Sequence, residues 1–137
     1  GVPGELSEEG LHRLDTLLNT HKPALLLLCH GGNDILKKND PALLRSNLES
    51  MVKVARERHV DVIVIAVPQF SLLHLSAHPL YEEIADRYTL PIENDILADI
   101  LGDNRYKSDY IHPNRLGYEQ LAEALEKVIR EEYHLKE

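Results

Sequence analysis

The stretch Val60-Asp61-Val62-Ile63-Val64-Ile65-Ala66-Val67 restricts the fold more than any other part of the chain. It is almost wholly β-branched and apolar, which favours extended backbone, and it lacks polar alternation, so a strand here has both faces covered. A helical pattern from Pro41 to Arg58 runs directly into it. Leu44, Leu48, Met51, Val52 and Ala55 share one stripe of that helix, and Pro41 is tolerated in its first turn. An amphipathic helix feeding a doubly covered strand is the unit of a parallel sheet clad in helices. Pro68 stops the strand, because proline has no N–H to give a ladder.

The remaining elements repeat the alternation. Ser7 to Thr20 is helical, with Leu11, Leu14, Leu17 and Leu18 at the required spacing, Ser7 as N-cap and Glu8 and Glu9 in the acid-favouring first turn. Ala24 to Cys29 is a short apolar run closed by Gly31-Gly32, which suits a strand covered on both faces. Pro79 to Arg87 reads as a short helix, Tyr88 to Ile92 as a brief strand, and Leu97 to Leu101 as a helix ended by Gly102. A final helix runs from about Asn114 into Tyr133 on Leu121, Leu125, Val128 and Ile129. The order implies right-handed crossovers and an α/β fold, one domain over residues 1–137. Ligands of such sheets sit beyond the carboxyl ends of the strands, so His30–Asp34, Pro68–His78 and the segment before Asn114 share the working edge.

A net charge of −8 without a Lys/Arg stripe argues against nucleic acid or an anionic membrane as main partner. No apolar run reaches the length of a membrane span. The single cysteine, Cys29, rules out an intramolecular disulfide, leaves the compartment open, and reads as a core residue.

Five sets of residues at the working edge are candidates for chemistry. Gly31-Gly32 lets the backbone approach a ligand, and Asn33 offers an amide donor of the sort that stabilises a developing oxyanion; the competing reading is a plain turn with Asn33 and Asp34 as turn formers. Asp109 and His112 are three apart, so the carboxylate can hold the ring while the imidazole acts as general base and then acid; here the competitor is a capped surface loop. Phe70, Leu72, Leu73 and Leu75 make an apolar loop suited to an acyl or aromatic group, or to packing on its own helices. His74 and His78 lack a third ligand, and no metal site is expected. Cys29 and His30, adjacent on a strand, point to opposite faces, against a Cys–His dyad.

Gly1-Val2-Pro3-Gly4 followed by Ser7-x-x-Gly10-Leu11, then Gly31-Gly32-Asn33-Asp34 after a strand, then Asp109-x-x-His112-Pro113-Asn114 before the last helix, resembles the SGNH/GDSL hydrolases. The likeness is nearest to their bacterial thioesterase I and arylesterase branch. The resemblance implies a flavodoxin-like α/β/α sandwich that hydrolyses carboxylic esters or thioesters through a seryl acyl intermediate, with no metal or organic cofactor. It also implies that Gly4 gives a backbone N–H and Asn33 a side-chain N–H to an oxyanion hole, that His112 is the base and Asp109 its orienting acid. Relatives are often exported.

The Gly-Asp-Ser block that carries the family's nucleophile has no counterpart here. Of six serines, Ser7 reads as a cap, Ser46 and Ser50 lie on a helix, Ser108 abuts Asp109, and Ser71 and Ser76 are remote candidates on the edge loop. The expectation is an N-terminally incomplete domain whose missing strand would lie beside Ala24–Cys29, because a bare apolar strand edge invites aggregation. The serine-bearing segment is then a partner of this chain, or the chain was cut from it. The alternatives are a noncatalytic α/β binding domain, or a carbohydrate O-deacetylase using the same groups.

Overall fold

A computed structural model describes residues 1–70 and 75–134. In chain order the elements are α1 (Ser7–His21), β1 (Leu25–Leu28), α2 (Gly32–Leu36), α3 (Pro41–Glu57), β2 (Asp61–Ile65), β3 (Pro68–Gln69), β4 (Ser76–Ala77), α4 (Pro79–Tyr88), β5 (Ile92–Glu93), α5 (Ile96–Leu101) and α6 (Arg115–Tyr133). Strands β1, β2 and β5 form a parallel sheet in the order β1-β2-β5. Leu25 stands opposite Asp61 and Val64 opposite Ile92. This is the α/β architecture expected from the alternation of patterns.

The β-branched run behaves as its composition dictates. Val62, Ile63, Val64 and Ile65 are all buried at 3% exposure or less, so β2 is the central strand with both faces covered. Helices α3 and α4 pack on β2, α1 packs on α3, and α6 lies against β5 with α5 alongside, giving helical layers about the sheet. The α3 stripe read from sequence is the buried one: Leu44, Leu48, Met51, Val52 and Ala55. Asp40 caps that helix by accepting from the Ala42 N–H at 3.0 Å, and Asn114 caps α6 through the Gly117 N–H at 3.0 Å.

Several local expectations are corrected. β1 is not covered on both faces: it is the outer strand of the three, with Leu25 and Leu26 half-buried and Leu27 40% exposed. Ser7 is not the N-cap. Leu6 holds that position with the Glu9 carboxylate on its N–H, while Ser7 is completely buried and bonded to Asp34 and Asn47. β2 ends at Ile65, before Pro68 is reached, and Pro68 instead opens an antiparallel ladder with Ala77, a first-residue position that needs no proline N–H. The third strand starts at Ile92, since Tyr88 still belongs to α4 and Thr89 ends it in the left-handed region at φ 53°. Asn33 and Asp34 lie in a helix of five residues, α2, where the sequence predicts only a turn.

Candidate active site

The site is assembled by three loops at the carboxyl ends of the strands. The first leaves β1 through His30 and Gly31. Gly31 takes φ +110°, and a Cβ there would run into the Tyr81 hydroxyl and Leu44, so glycine is required both for the turn and for the close approach. The turn launches α2 and sets Asn33 on its outer side. Asp34, the next residue, points inward: its carboxylate accepts from the Ser7 hydroxyl at 2.6 Å and the Ser7 N–H at 2.9 Å. Asn47 donates to the same hydroxyl at 3.0 Å. This buried, mutually satisfied network pins α2 to α1 and α3, which fixes where Asn33 stands.

The second component is the N-terminal turn. Glu5 N–H donates to Val2 O at 3.2 Å, with Pro3 and Gly4 between them and Gly4 at φ +74°, the geometry that favours Pro-Gly. Asn33 Nδ2 donates to Glu5 O at 3.1 Å, so the Gly4 turn and α2 are joined directly. An amide NH2 carries two donors, and the second Asn33 N–H is left over from this bond. The Glu5 side chain is buried among partners: Arg13 donates to both carboxylate oxygens, at 2.8 and 2.9 Å, and His30 Nε2 lies 3.0 Å from Oε1. Arg13 chiefly, with His30, holds the Glu5 carboxyl down to about 2 against the opposing effect of burial.

The third component is the loop before α6. Asp109 Oδ1 accepts from the backbone N–H of Ile111 at 2.8 Å and of His112 at 2.9 Å, which closes the turn. His112 Nδ1 then lies 3.0 Å from Oδ1 and 2.9 Å from Oδ2. A carboxylate here keeps the ring proton on Nδ1 and leaves Nε2 as the free acceptor. The Ile111 N–H first, then His112, lowers the Asp109 carboxyl below its ordinary range. Both side chains are exposed, 58% for His112 and 54% for Asp109.

His112 and Asn33 line one cleft of about 230 Å³, together with His30, Phe70, Leu97, Leu101, Ile111, Tyr118 and Leu121. The wall between the polar groups is apolar. Gly4 and Asp109 are not among its lining residues: Asp109 stands behind His112, and Gly4 is one residue from the carbonyl that holds Asn33. A cleft of the same volume at the opposite edge, between Arg56, Asp61 and Tyr133, has its tyrosine hydroxyl committed to Asp61 at 2.7 Å and no acid–base pair.

Cys29 is corrected from core to exposed; it and His30 both line the cleft, since β1 has ended at Leu28 and strand alternation no longer separates them. They still make no dyad. His30 Nε2 is engaged with Glu5, and surrounding protein atoms push the Cys29 thiol up to about 11 although part of its surface stays open. His78 Nδ1 accepts from the Leu80 N–H at 3.2 Å and caps α4, while His74, Ser71, Leu72 and Leu73 lie outside the described residues. Among the described residues no group of three or more His, Cys, Asp or Glu is arranged to hold a metal, and no helix is long and apolar enough to cross a membrane. None of the described serines lines the cleft; Ser108 donates to carbonyls of its own loop, at 3.3 Å for His112 O.

With this geometry in view, the profile of the GDSL-like lipase/acylhydrolase family matches residues 1–120. The chain belongs to that family. It is similar to Esterase TesA of Pseudomonas aeruginosa, 32% identical over 117 residues, which cover 82% of this chain and 58% of the relative. It is also similar to Thioesterase 1/protease 1/lysophospholipase L1 of Escherichia coli K12, 24% identical, covering 83% of this chain and 57% of that one. The chain thus spans little more than half the length of these family members. Among solved structures, TesA aligns with a TM-score of 0.79 at 27% identity, over 93% of this chain and 73% of that one. The psychrotrophic esterase EstA of Pseudoalteromonas aligns with a TM-score of 0.76 at 23% identity, over 93% and 74%. The α/β fold and the GDSL family are established by these matches.

Proposed function

We propose that these residues supply the oxyanion and acid–base half of a hydrolase acting on carboxylic esters or thioesters. One observation carries the reading: the amide of Asn33 and the Asp109-paired imidazole of His112 face a single apolar cleft. The attacking hydroxyl belongs, on this reading, to a Gly-Asp-Ser segment outside the 137 residues, in a site completed by that segment. His112 Nε2 takes the proton as the serine oxygen bonds to the acyl carbon. The Asn33 N–H, with the Gly4 N–H, receives the charge that develops on the carbonyl oxygen. Collapse breaks the bond to the leaving group, which departs with the proton from His112; water then repeats the sequence and frees the acid. The chain by itself is then inactive.

The test is to treat the intact protein with a fluorophosphonate probe and assay aryl acetates, longer acyl esters, acyl-CoA and acetylated sugars. A serine labelled in proportion to lost activity supports the reading. Preference for acetylated sugars would turn it toward an O-deacetylase. The absence of any serine lining the cleft among the described residues favours a second reading, a noncatalytic binding domain, and intact protein that neither labels nor turns over any ester would establish it.

A further inference from the structure

Glu5 carries a full charge in a buried place, with 7% of its surface exposed. The fold does not need a charge there, since well-packed apolar residues commonly replace a buried ion pair without loss of stability. What surrounds it is a two-sided clamp. Arg13 reaches back from α1 with a two-pronged contact at 2.8 and 2.9 Å, and His30 comes from the end of β1 at 3.0 Å. Space for the imidazole exists only because residue 10 is glycine: a Cβ on Gly10 would lie 2.5 Å from His30 Nε2. The residue so clamped is the one whose backbone carbonyl holds Asn33 at 3.1 Å and whose N–H closes the Gly4 turn.

We propose that Glu5 is a positioning residue, its clamped side chain fixing the carbonyl that aims the Asn33 amide into the cleft. This rests on the reading of Asn33 as an oxyanion donor. A donor must be held in place before charge develops, and a displacement near 1 Å can remove about 10²-fold in rate. Glu5→Gln leaves the residue's size but weakens both clamp contacts, so the donor wanders.

The test has a kinetic arm and a spectroscopic arm, both on the intact protein. Glu5→Gln is expected to lower kcat about 10-fold with KM changed less than about 2-fold, and to cause no further loss in an Asn33→Ala background. Independently, the Asn33 side-chain amide resonances should shift and broaden in Glu5→Gln and in Arg13→Gln, but not in Glu8→Gln, which makes the same charge change as Glu5→Gln at an exposed position on α1. Losses that multiply in the double variant, or unmoved Asn33 resonances beside a merely lowered Tm, overturn the proposal. If the wild type hydrolyses nothing, the proposed function fails while the amide resonances still decide the clamp. If Glu5→Gln does not fold, Arg13→Gln, altered at a partly exposed side chain, answers both arms.

Discussion

The two halves of the site are built in opposite ways. On one side, Asn33 stands on a helix pinned by the buried Ser7–Asp34–Asn47 network and is joined to a turn whose Glu5 is clamped by Arg13 and His30. On the other, Asp109 and His112 lie on a solvent-exposed loop closed by local bonds, with Asp109 accepting from the Ile111 and His112 N–H groups, Ser108 N–H donating to His112 O at 2.9 Å, and the imidazole paired with Asp109. Each half suits its task. A hydrogen-bond donor works by being fixed before the reaction begins, whereas a general base takes up a proton and hands it on in every turnover, and an exposed imidazole can carry that transient charge without a burial penalty. The contrast predicts that variants in the loop should change chemistry with little effect on stability, and variants under the buried half should disturb both.

His112→Ala gives the largest effect. Loss of the base should lower kcat of the intact protein about 10³-fold, with the thermal midpoint nearly unchanged because the side chain is exposed. A large drop in melting temperature would mean that the loop is structurally important too, and the contrast would be lost. Asn33→Ala comes next, at about 10²-fold in kcat, and here the variant also forfeits its bond to Glu5 O. Asp109→Asn should be milder, about 10-fold. An asparagine oxygen can still accept from the Ile111 and His112 N–H groups, so the turn survives while the hold on His112 Nδ1 weakens. Stopped assays with an aryl acetate and calorimetry on the same samples separate the three.

How much of this could be read from sequence follows the same divide. The loop half is local: Asp109 and His112 are three residues apart and their contact forms within one turn, so spacing announced it. β2 and α3 were equally legible, because β-branched composition and a 3.6-residue stripe act through nearest neighbours. The buried half is made of contacts between distant positions. Ser7 looks like a cap until Asp34 and Asn47 are brought to it, and nothing near Glu5 in the sequence announces His30. Gly10 was visible as a motif residue, but its reason, the room it leaves for an imidazole, exists only in three dimensions. The helix α2 escaped notice because five residues are too few for a period to show.

The smallest expected effect probes the clamp through acid. The Glu5 carboxyl is lowered from 4.5 to about 2 in the folded chain, first by Arg13 and then by His30. A carboxyl with a depressed folded value binds its proton more readily when unfolded, so the stability it contributes is complete above the ordinary carboxylate range and is lost as pH falls from there toward about 2. Glu5→Gln has no such proton to take up. At neutral pH it should melt a few degrees below wild type, and the gap should close as the pH is lowered through that window, until the two curves meet near its acid end. Asp109→Asn supplies the comparison: its carboxyl is also lowered, but on an exposed loop where water screens the pair, so its melting curve should track wild type at every pH. A gap for Glu5→Gln that stays constant in acid would place its effect in packing and not in charge, and would remove the electrostatic distinction between the two halves of the site.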